Sequence, residues 1–196
     1  METKYVTGIP KSMGGSGDPS PVTAYGVYMG MKACAKYCWE KDHLQGKKIV
    51  VQGVGNVGEY LVHYLSEEGA DIYISDISQE KLDEVQSKYN VTVINNSDVL
   101  DFDMDIFAPC ALGGILNTSN IERLKCKIVC GGANNQLEDE VRDSLHLKKR
   151  EIVFAPDFLV NSGGLINVYS EINGYDKEKS INKTKEIYQT TLDILN

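Results

Sequence analysis

A glycine-rich turn between a predicted strand and a predicted helix constrains this chain more than any other feature. Residues 48–52 are largely apolar and β-branched, as in a buried strand, and residues 53–58 read Gly-Val-Gly-Asn-Val-Gly, which matches G-x-G-x-x-G. Apolar residues then recur at three- and four-residue spacing over 56–68, which predicts an amphipathic helix. A strand, such a turn and a helix in succession are typical of a unit that holds a dinucleotide pyrophosphate at the helix N-terminus.

The three glycines of this turn have separate roles. Gly53 permits the tight bend, Gly55 lets the backbone approach the pyrophosphate, and Gly58 lets the helix pack closely on the strand. Because the helix N-terminus carries unpaired N–H groups and the positive end of the dipole, the phosphates can be held without a basic side chain.

An aspartate ends the second predicted strand, 71–76, at about twenty residues beyond the glycines. A carboxylate at this position can accept hydrogen bonds from both hydroxyls of an adenosine ribose, and it would repel a 2′-phosphate. Residues 75 and 77–79 include no arginine that would reverse this preference. Asp76 therefore predicts NAD rather than NADP as the cofactor.

Length, composition and charge exclude several classes of protein. The 196 residues suffice for one sizeable domain and are few for two complete ones, and 42% hydrophobic residues suit a globular core. No apolar run reaches the length of a membrane span and no signal-peptide pattern opens the chain, so we expect a cytoplasmic protein without a membrane partner. The net charge of −8 argues against a nucleic-acid partner. Five cysteines without a disulfide or metal spacing, and three scattered histidines, predict reduced thiols and no metal site.

Strands that alternate with helices predict a parallel sheet. Four more short apolar runs follow the first two strands, with helical or turn-like segments between them. The runs are 91–94, 105–108, 127–130 and 152–155, and the intervening segments include 78–89, 118–124 and 137–147. Right-handed crossovers then give an α/β fold, a Rossmann-type doubly wound parallel sheet with strand order 3-2-1-4-5-6 and helices on both faces.

The two ends of the chain are predicted to be a hinge-like lead-in, 1–20, and a helix from 176 onward that ends without a C-cap signal, as though truncated. Ser20 is a predicted N-cap, followed by Pro21 in the first turn of a helix over 22–41. Thr23 either caps this helix or reaches a cofactor amide, and physical grounds alone favour capping.

Three predicted loops meet at the carboxyl edge of the sheet, where ligands bind in such folds. They follow the fourth, fifth and sixth strands, at 109–114, 131–136 and 156–165, and they are rich in glycine and asparagine. Small residues allow close approach, and amides can hydrogen-bond a nicotinamide carboxamide or a substrate carboxylate. Ordinary glycine and asparagine turns have the same composition, but three such loops beside the glycine turn favour a binding site.

Four stretches resemble the NAD-binding domain of the glutamate/leucine/phenylalanine/valine dehydrogenase family, and among its members the leucine dehydrogenases most. They are TGIPKSMGGSGDPSPVTAYGVYMGMKA, VQGVGNVGEYLVHYLSEEGA, DIFAPCALGGILN and APDFLVNSGGLINVYSEINGY. Members of this family are two-domain enzymes that oxidatively deaminate an L-amino acid to a 2-oxo acid and ammonia, and that pass hydride to NAD.

The resemblance implies a role for each matching residue. The pyrophosphate would be held by Gly53, Val54, Gly55, Asn56, Val57, Gly58 and Glu59. Asp76 would bind the adenosine ribose. The nicotinamide end would be flanked by Thr23, Cys110, Ala111, Leu112 and Asn135. Asn161, Ser162 and Leu165 would face the substrate.

The resemblance also implies what the sequence lacks. Family members often carry alanine at the position of Gly58, and leucine dehydrogenases tend to carry alanine and valine at Ser162 and Leu165, which leaves phenylalanine, valine or glutamate dehydrogenase relatives as alternatives. The catalytic lysine and aspartate of the family lie in an N-terminal domain whose motifs do not occur here. We therefore expect a C-terminal cofactor domain, inactive alone, of a homo-oligomer that binds its L-amino acid between two domains. The alternative is a stand-alone NAD-binding sensor or interaction module.

Overall fold

One parallel sheet of six strands organises the fold. The computed structural model describes residues 8–196, apart from the side chains of Lys11 and Asn173. The strands are β1 Lys48–Gln52, β2 Asp71–Ser75, β3 Thr92–Val93, β4 Ile106–Pro109, β5 Ile128–Val129 and β6 Val153–Phe154. Their order is β3-β2-β1-β4-β5-β6, with every neighbouring pair parallel. The predicted α/β class and the strand order 3-2-1-4-5-6 are confirmed.

Eight α-helices flank the sheet within residues 8–196. They are α1 Ser20–Trp39, α2 Asn56–Glu67, α3 Gln79–Lys88, α4 Thr118–Arg123, α5 Glu140–Lys149, α6 Asp157–Val160, α7 Gly163–Tyr169 and α8 Lys177–Leu195. Most lie within two residues of their predicted bounds. The start of α5 is later than predicted because the Asp139 side chain caps the helix there, accepting from the Arg142 N–H at 2.8 Å.

Helices cover both faces of the sheet, because successive side chains of a strand point to opposite sides. Ile49 and Val51 of β1 belong to a core on the face that carries α1, α2 and α3. Val50 belongs to a second core on the other face, together with Ile121 of α4 and Leu147 of α5. Helix α8 packs against α1 and adds Ile187 to the first core.

The stretch 156–165, predicted as a loop, instead contains the short helix α6 and the start of α7. This prediction was wrong because helix formation here depends on packing rather than on sequence propensity. A Cβ built on Gly163 would lie 2.2 Å from the carbonyl oxygen of Val22, so α7 rests against the backbone of α1. Glycine is a poor helix former, and only such tertiary contact offsets that cost.

The prediction of Ser20 as an N-cap was also wrong. Helix α1 begins at Ser20 itself, and Pro21 does lie in the first turn. The Asp18 carboxylate supplies the acceptor, because its Oδ1 receives the Ser20 N–H at 2.9 Å and the Ser20 hydroxyl at 2.6 Å. An acid two residues upstream therefore satisfies an amide that has no acceptor within the helix.

The lead-in to α1 is held against the 3-10 helix Ser170–Asn173, which follows α7. Oε1 of Glu171 accepts the N–H of Ile9 at 3.1 Å and that of Ser16 at 2.6 Å, and residues 11–13 form a 3-10 turn between them. The part of the predicted hinge at 1–7 lies outside the described residues. Within 8–196, no helix is both long and apolar enough to cross a membrane, and no group of three metal-ligating side chains was found.

Candidate dinucleotide-binding site

The glycine turn lies directly after β1 and is closed by contacts that leave no room for side chains at two of its positions. Gly53 has a φ of +95°, and a Cβ there would lie 2.7 Å from the Cβ of Ala111. A Cβ on Gly58 would lie 2.0 Å from the carbonyl oxygen of Gly53. These two glycines therefore bring α2 close to β1 and to the loop after β4.

The middle glycine faces open space. Gly55 is the N-cap of α2, with a φ of −70°, and of the described residues beyond its chain neighbours a Cβ there would meet only the Nζ of Lys81, at 3.7 Å. The first N–H groups of α2, at 56 and 57, have no helical acceptor because the helix begins there. An open cradle over Gly55, next to unpaired amides and the positive end of the helix dipole, fits an anionic phosphate.

Asp76 lies against this turn rather than apart from it. Its Oδ2 accepts the Val54 N–H at 2.8 Å, and its Oδ1 accepts the Ser78 N–H at 2.9 Å. A carboxylate has about four acceptor sites, so each oxygen retains one for a further donor such as a sugar hydroxyl. The Val54 side chain is buried and its N–H is engaged, so this residue supports the turn rather than presenting a free donor.

A cleft of about 450 Å³ opens beside the turn and Asp76. Its rim carries two large apolar side chains, Ile77 and Leu112, which are 96% and 82% exposed. Leu112 was among the predicted site residues, whereas Ile77 was not. Asn96, whose Oδ1 accepts the Ser75 hydroxyl at 2.5 Å, also lines the cleft and was not predicted. Asn96 follows β3, so a search of the carboxyl ends of all the predicted strands would have found it.

A larger open groove, of about 700 Å³, lies elsewhere. It is bordered by the end of α1, by α5 and by the amino ends of β5 and β6. None of the predicted site residues lines it. In doubly wound sheets ligands bind at the carboxyl ends of the strands, so the smaller cleft is the candidate site.

The loops after β4 and β5 contact each other at this edge of the sheet. The Cys110 sulfur accepts the Gly132 N–H at 3.4 Å, and the N–H of Gly114 donates to the carbonyl oxygen of Asn135 at 2.7 Å. Burial raises the pKa of the Cys110 thiol to about 11, so the thiol stays neutral at physiological pH. Asn135 has a φ of +51°, a left-handed conformation that asparagine tolerates better than most residues.

The residues predicted to face the substrate lie in the next connection. Nδ2 of Asn161 donates to Oδ1 of Asn134 at 2.6 Å, which joins the segments after β5 and β6. The Ser162 hydroxyl donates locally, to the Leu159 carbonyl oxygen at 2.6 Å, whereas the Leu165 side chain is 70% exposed.

The Thr23 hydroxyl has a backbone partner and is close to this connection. It donates to the Pro19 carbonyl oxygen at 3.0 Å, within the first turn of α1. A Cβ on Gly164 would lie 2.4 Å from the Thr23 hydroxyl oxygen, so the two residues are in contact. Thr23 therefore lies beside α7, and its role toward a cofactor amide stays a prediction.

Comparison with known proteins assigns the family. A model of the Glutamate/Leucine/Phenylalanine/Valine dehydrogenase family matches residues 14–79 and 73–190. The chain belongs to this family. A leucine dehydrogenase from Thermoactinomyces intermedius is 48% identical over 193 residues, which cover 98% of this chain and 52% of that enzyme. A phenylalanine dehydrogenase from Lysinibacillus sphaericus is 43% identical over 200 residues, which cover 100% of this chain and 52% of that enzyme.

The fold agrees with that of a solved family member. The crystal structure of L-tryptophan dehydrogenase from Nostoc punctiforme superposes with a TM-score of 0.89 at 45% identity, over 91% of this chain and 55% of that one. The chain thus spans about half the length of these relatives. The resemblance to the amino-acid dehydrogenase family is confirmed. The three relatives are named for leucine, phenylalanine and tryptophan, so the family assignment does not identify the preferred amino acid.

For this dehydrogenase family member, one predicted cofactor residue has another partner. The Glu59 carboxylate lies 2.7 Å from the Nζ of Lys88 on α3, and Lys88 also pairs with Glu84 at 2.6 Å. This ion pair joins α2 to α3 and engages the Glu59 side chain, and the Glu59 N–H donates to the Gly55 carbonyl oxygen at 2.9 Å. Its contribution to phosphate binding stays a prediction.

Proposed function

We propose that this chain is the nucleotide-binding half of an NAD-dependent L-amino-acid dehydrogenase, in which the complete enzyme deaminates its substrate oxidatively to a 2-oxo acid and ammonia. Family membership supports the reaction class. We further propose that this half is the carboxyl-terminal one of a homo-oligomeric enzyme. Leucine or another branched-chain amino acid is the proposed substrate, because a leucine dehydrogenase shares 48% of the aligned residues.

The observation that carries the cofactor assignment is the contact between Asp76 and the glycine turn. The Val54 N–H lies 2.8 Å from the Asp76 carboxylate, so the proposed ribose site is fixed next to the proposed pyrophosphate site. Such an arrangement suits a nucleotide with a free 2′-hydroxyl. A 2′-phosphate would bring a second anion against this carboxylate, which favours NAD over NADP.

The cleft supports this assignment by its shape and chemistry. Ile77 and Leu112 offer apolar surface for an adenine ring, and the start of α2 offers N–H groups for the phosphates. NAD supplies the nicotinamide ring that accepts the hydride. This chain positions that ring, and a misplacement of about 1 Å can cost about a hundredfold in rate. Asn161 and Leu165 are proposed to face the substrate from this side.

Calorimetric titration with NAD and NADP tests the cofactor assignment. We expect the unchanged protein to bind NAD at least about tenfold more tightly than NADP, and Asp76→Ala to remove most of that difference. Asp76→Asn removes the charge but keeps one carbonyl oxygen that can accept the Val54 N–H. Comparison of this variant with Asp76→Ala therefore distinguishes the effect of the lost charge from that of a disrupted turn. Asp71→Ala removes an exposed carboxylate from the other end of the same strand and should change neither affinity. Equal affinity of the unchanged protein for both cofactors would refute the role of Asp76.

A second measurement tests the division of labour between the two halves. We propose that the catalytic groups come from the other half of the enzyme, so these 196 residues should bind NAD without turning over an amino acid. Absorbance by NADH in the presence of leucine and NAD is the assay. Leucine-dependent formation of NADH by the purified chain would overturn this part of the proposal.

A further inference from the structure

A lysine on the helix after β2, which was not among the predicted site residues, faces the glycine turn. Lys81 lies in the first turn of α3, five residues beyond Asp76. Among residues 8–196, and leaving out the chain neighbours of Gly55, its ammonium is the one group within 4 Å of the position where a Cβ on Gly55 would lie, at 3.7 Å. The space over Gly55 is also where we have proposed that the pyrophosphate approaches the backbone.

No carboxylate in the part of the chain that the structure describes holds the Lys81 ammonium at this position. Within residues 8–196 it forms no ion pair at 4.0 Å or less. Lys88, about two turns further along α3, bridges Glu59 and Glu84 and is thereby held away from the turn. Of the two lysines on this helix, Lys81 is the one that remains available to an anion.

We propose that Lys81 is a positioning residue for the cofactor, and that its ammonium forms a charge-assisted hydrogen bond with the pyrophosphate. This inference rests on the proposed function. The N–H groups at the start of α2 and the Lys81 ammonium converge on one space from two elements, α2 and α3. Hydrogen bonds of this kind typically span about 2.7–2.9 Å from nitrogen to oxygen, and they are about twice as strong as hydrogen bonds between neutral groups. A phosphate oxygen over Gly55 lies within the reach of a flexible lysine.

The net charge of −8 increases the importance of this contact. An acidic protein repels an anionic dinucleotide at long range, so local positive groups must hold the phosphates. The helix N-terminus contributes about half an elementary charge, and Lys81 would add a full one. Because the ammonium lies over Gly55, we assign it to the pyrophosphate shared by NAD and ADP, and not to the 2′-phosphate found only in NADP.

Calorimetric titration of Lys81→Gln with NAD, ADP, adenosine and NADP tests this inference. We expect NAD and ADP each to bind about tenfold more weakly, with adenosine unchanged and the ratio of NAD to NADP affinity preserved. Lys81→Arg keeps the charge and should retain most of the NAD affinity. Lys185→Gln removes an exposed lysine from α8 and controls for net charge.

Any result other than the expected one would refute either the pyrophosphate contact or the proposed function. Unchanged NAD affinity in Lys81→Gln, while the unchanged protein binds NAD, refutes the inference and leaves the proposed function intact. A loss confined to NADP would assign the ammonium to the 2′-phosphate instead and refute the pyrophosphate contact. Equal weakening of adenosine would indicate a local structural change and also refutes it. Failure of the unchanged protein to bind NAD would refute the proposed function itself.

Discussion

Gly55→Ala separates a binding role of the glycine turn from a folding role. The φ of Gly55 is −70°, which any residue adopts, and the added methyl would meet only the Lys81 Nζ at 3.7 Å, the mobile end of a long side chain. We therefore expect the free energy of unfolding to change by no more than about 0.5 kcal/mol. The same methyl fills the cradle through which a phosphate reaches the α2 amides. Loss of one hydrogen bond to a charged group costs about 1.5–3 kcal/mol, or about ten- to hundredfold in NAD affinity.

Thermal unfolding followed by circular dichroism and calorimetric titration with NAD are the two assays. Gly53→Ala provides the contrast, because its φ is +95° and its methyl would lie 2.7 Å from the Ala111 Cβ. It should destabilise the fold by about 1–3 kcal/mol. If Gly55→Ala melts like the unchanged protein and also binds NAD equally well, the phosphates do not pass over Gly55 and the reasoning is refuted.

Three further predictions concern stability and reactivity. The hydrogen bond from the Ser16 N–H lowers the pKa of Glu171. The contacts of the Glu171 carboxylate therefore stabilise the fold fully above the ordinary pKa of 4.5, and this stabilisation is lost as the pH falls through the lowered pKa. Glu171→Gln should reduce the fall in melting temperature at acid pH, as thermal unfolding at several pH values would show. Asp143, which is fully buried, accepts from Arg142 and the Asp139 N–H, and Asp143→Ala should cost about 1–3 kcal/mol in urea unfolding. Burial raises the pKa of Cys110 to about 11, so alkylation at about pH 8 should leave this thiol unlabelled until the protein unfolds, as peptide mass analysis would show.

The sheet could be predicted from sequence because its signals are local and redundant. The strand at 48–52 has contiguous β-branched residues between polar ends, and its observed bounds are those predicted. The glycine turn then fixed which strand is central, since the doubly wound order follows from the position of that turn. Strands β3, β5 and β6, at or next to the two edges of the sheet, are only two residues long in the structure, so their predicted bounds were too wide by a residue at each end.

Features that depend on contacts between distant segments could not be predicted. Helix α7 starts with two glycines, which disfavour a helix, and it forms because Gly163 rests on the backbone of α1. The position of Lys81 over Gly55 depends on how α3 lies beside α2, and the distance from Asp76 along the chain does not reveal it. A local feature was missed for a different reason: Asp18 and Ser20 are both able to accept at the start of α1, and the sequence does not show which of these neighbouring side chains does so.

The family resemblance and the structure lead to different expectations for the residue at position 58. Family members often carry alanine at this position, yet a Cβ here would lie 2.0 Å from the Gly53 carbonyl oxygen. An alanine therefore requires the turn to move away from α2. In this chain Gly53 also contacts Ala111, so any such movement would shift the loop after β4, which lines the cleft. The third glycine thus sets how closely the phosphate cradle and the wall of the cleft approach each other, and Gly58→Ala should alter cofactor affinity through the position of Ala111 rather than through a contact with the cofactor.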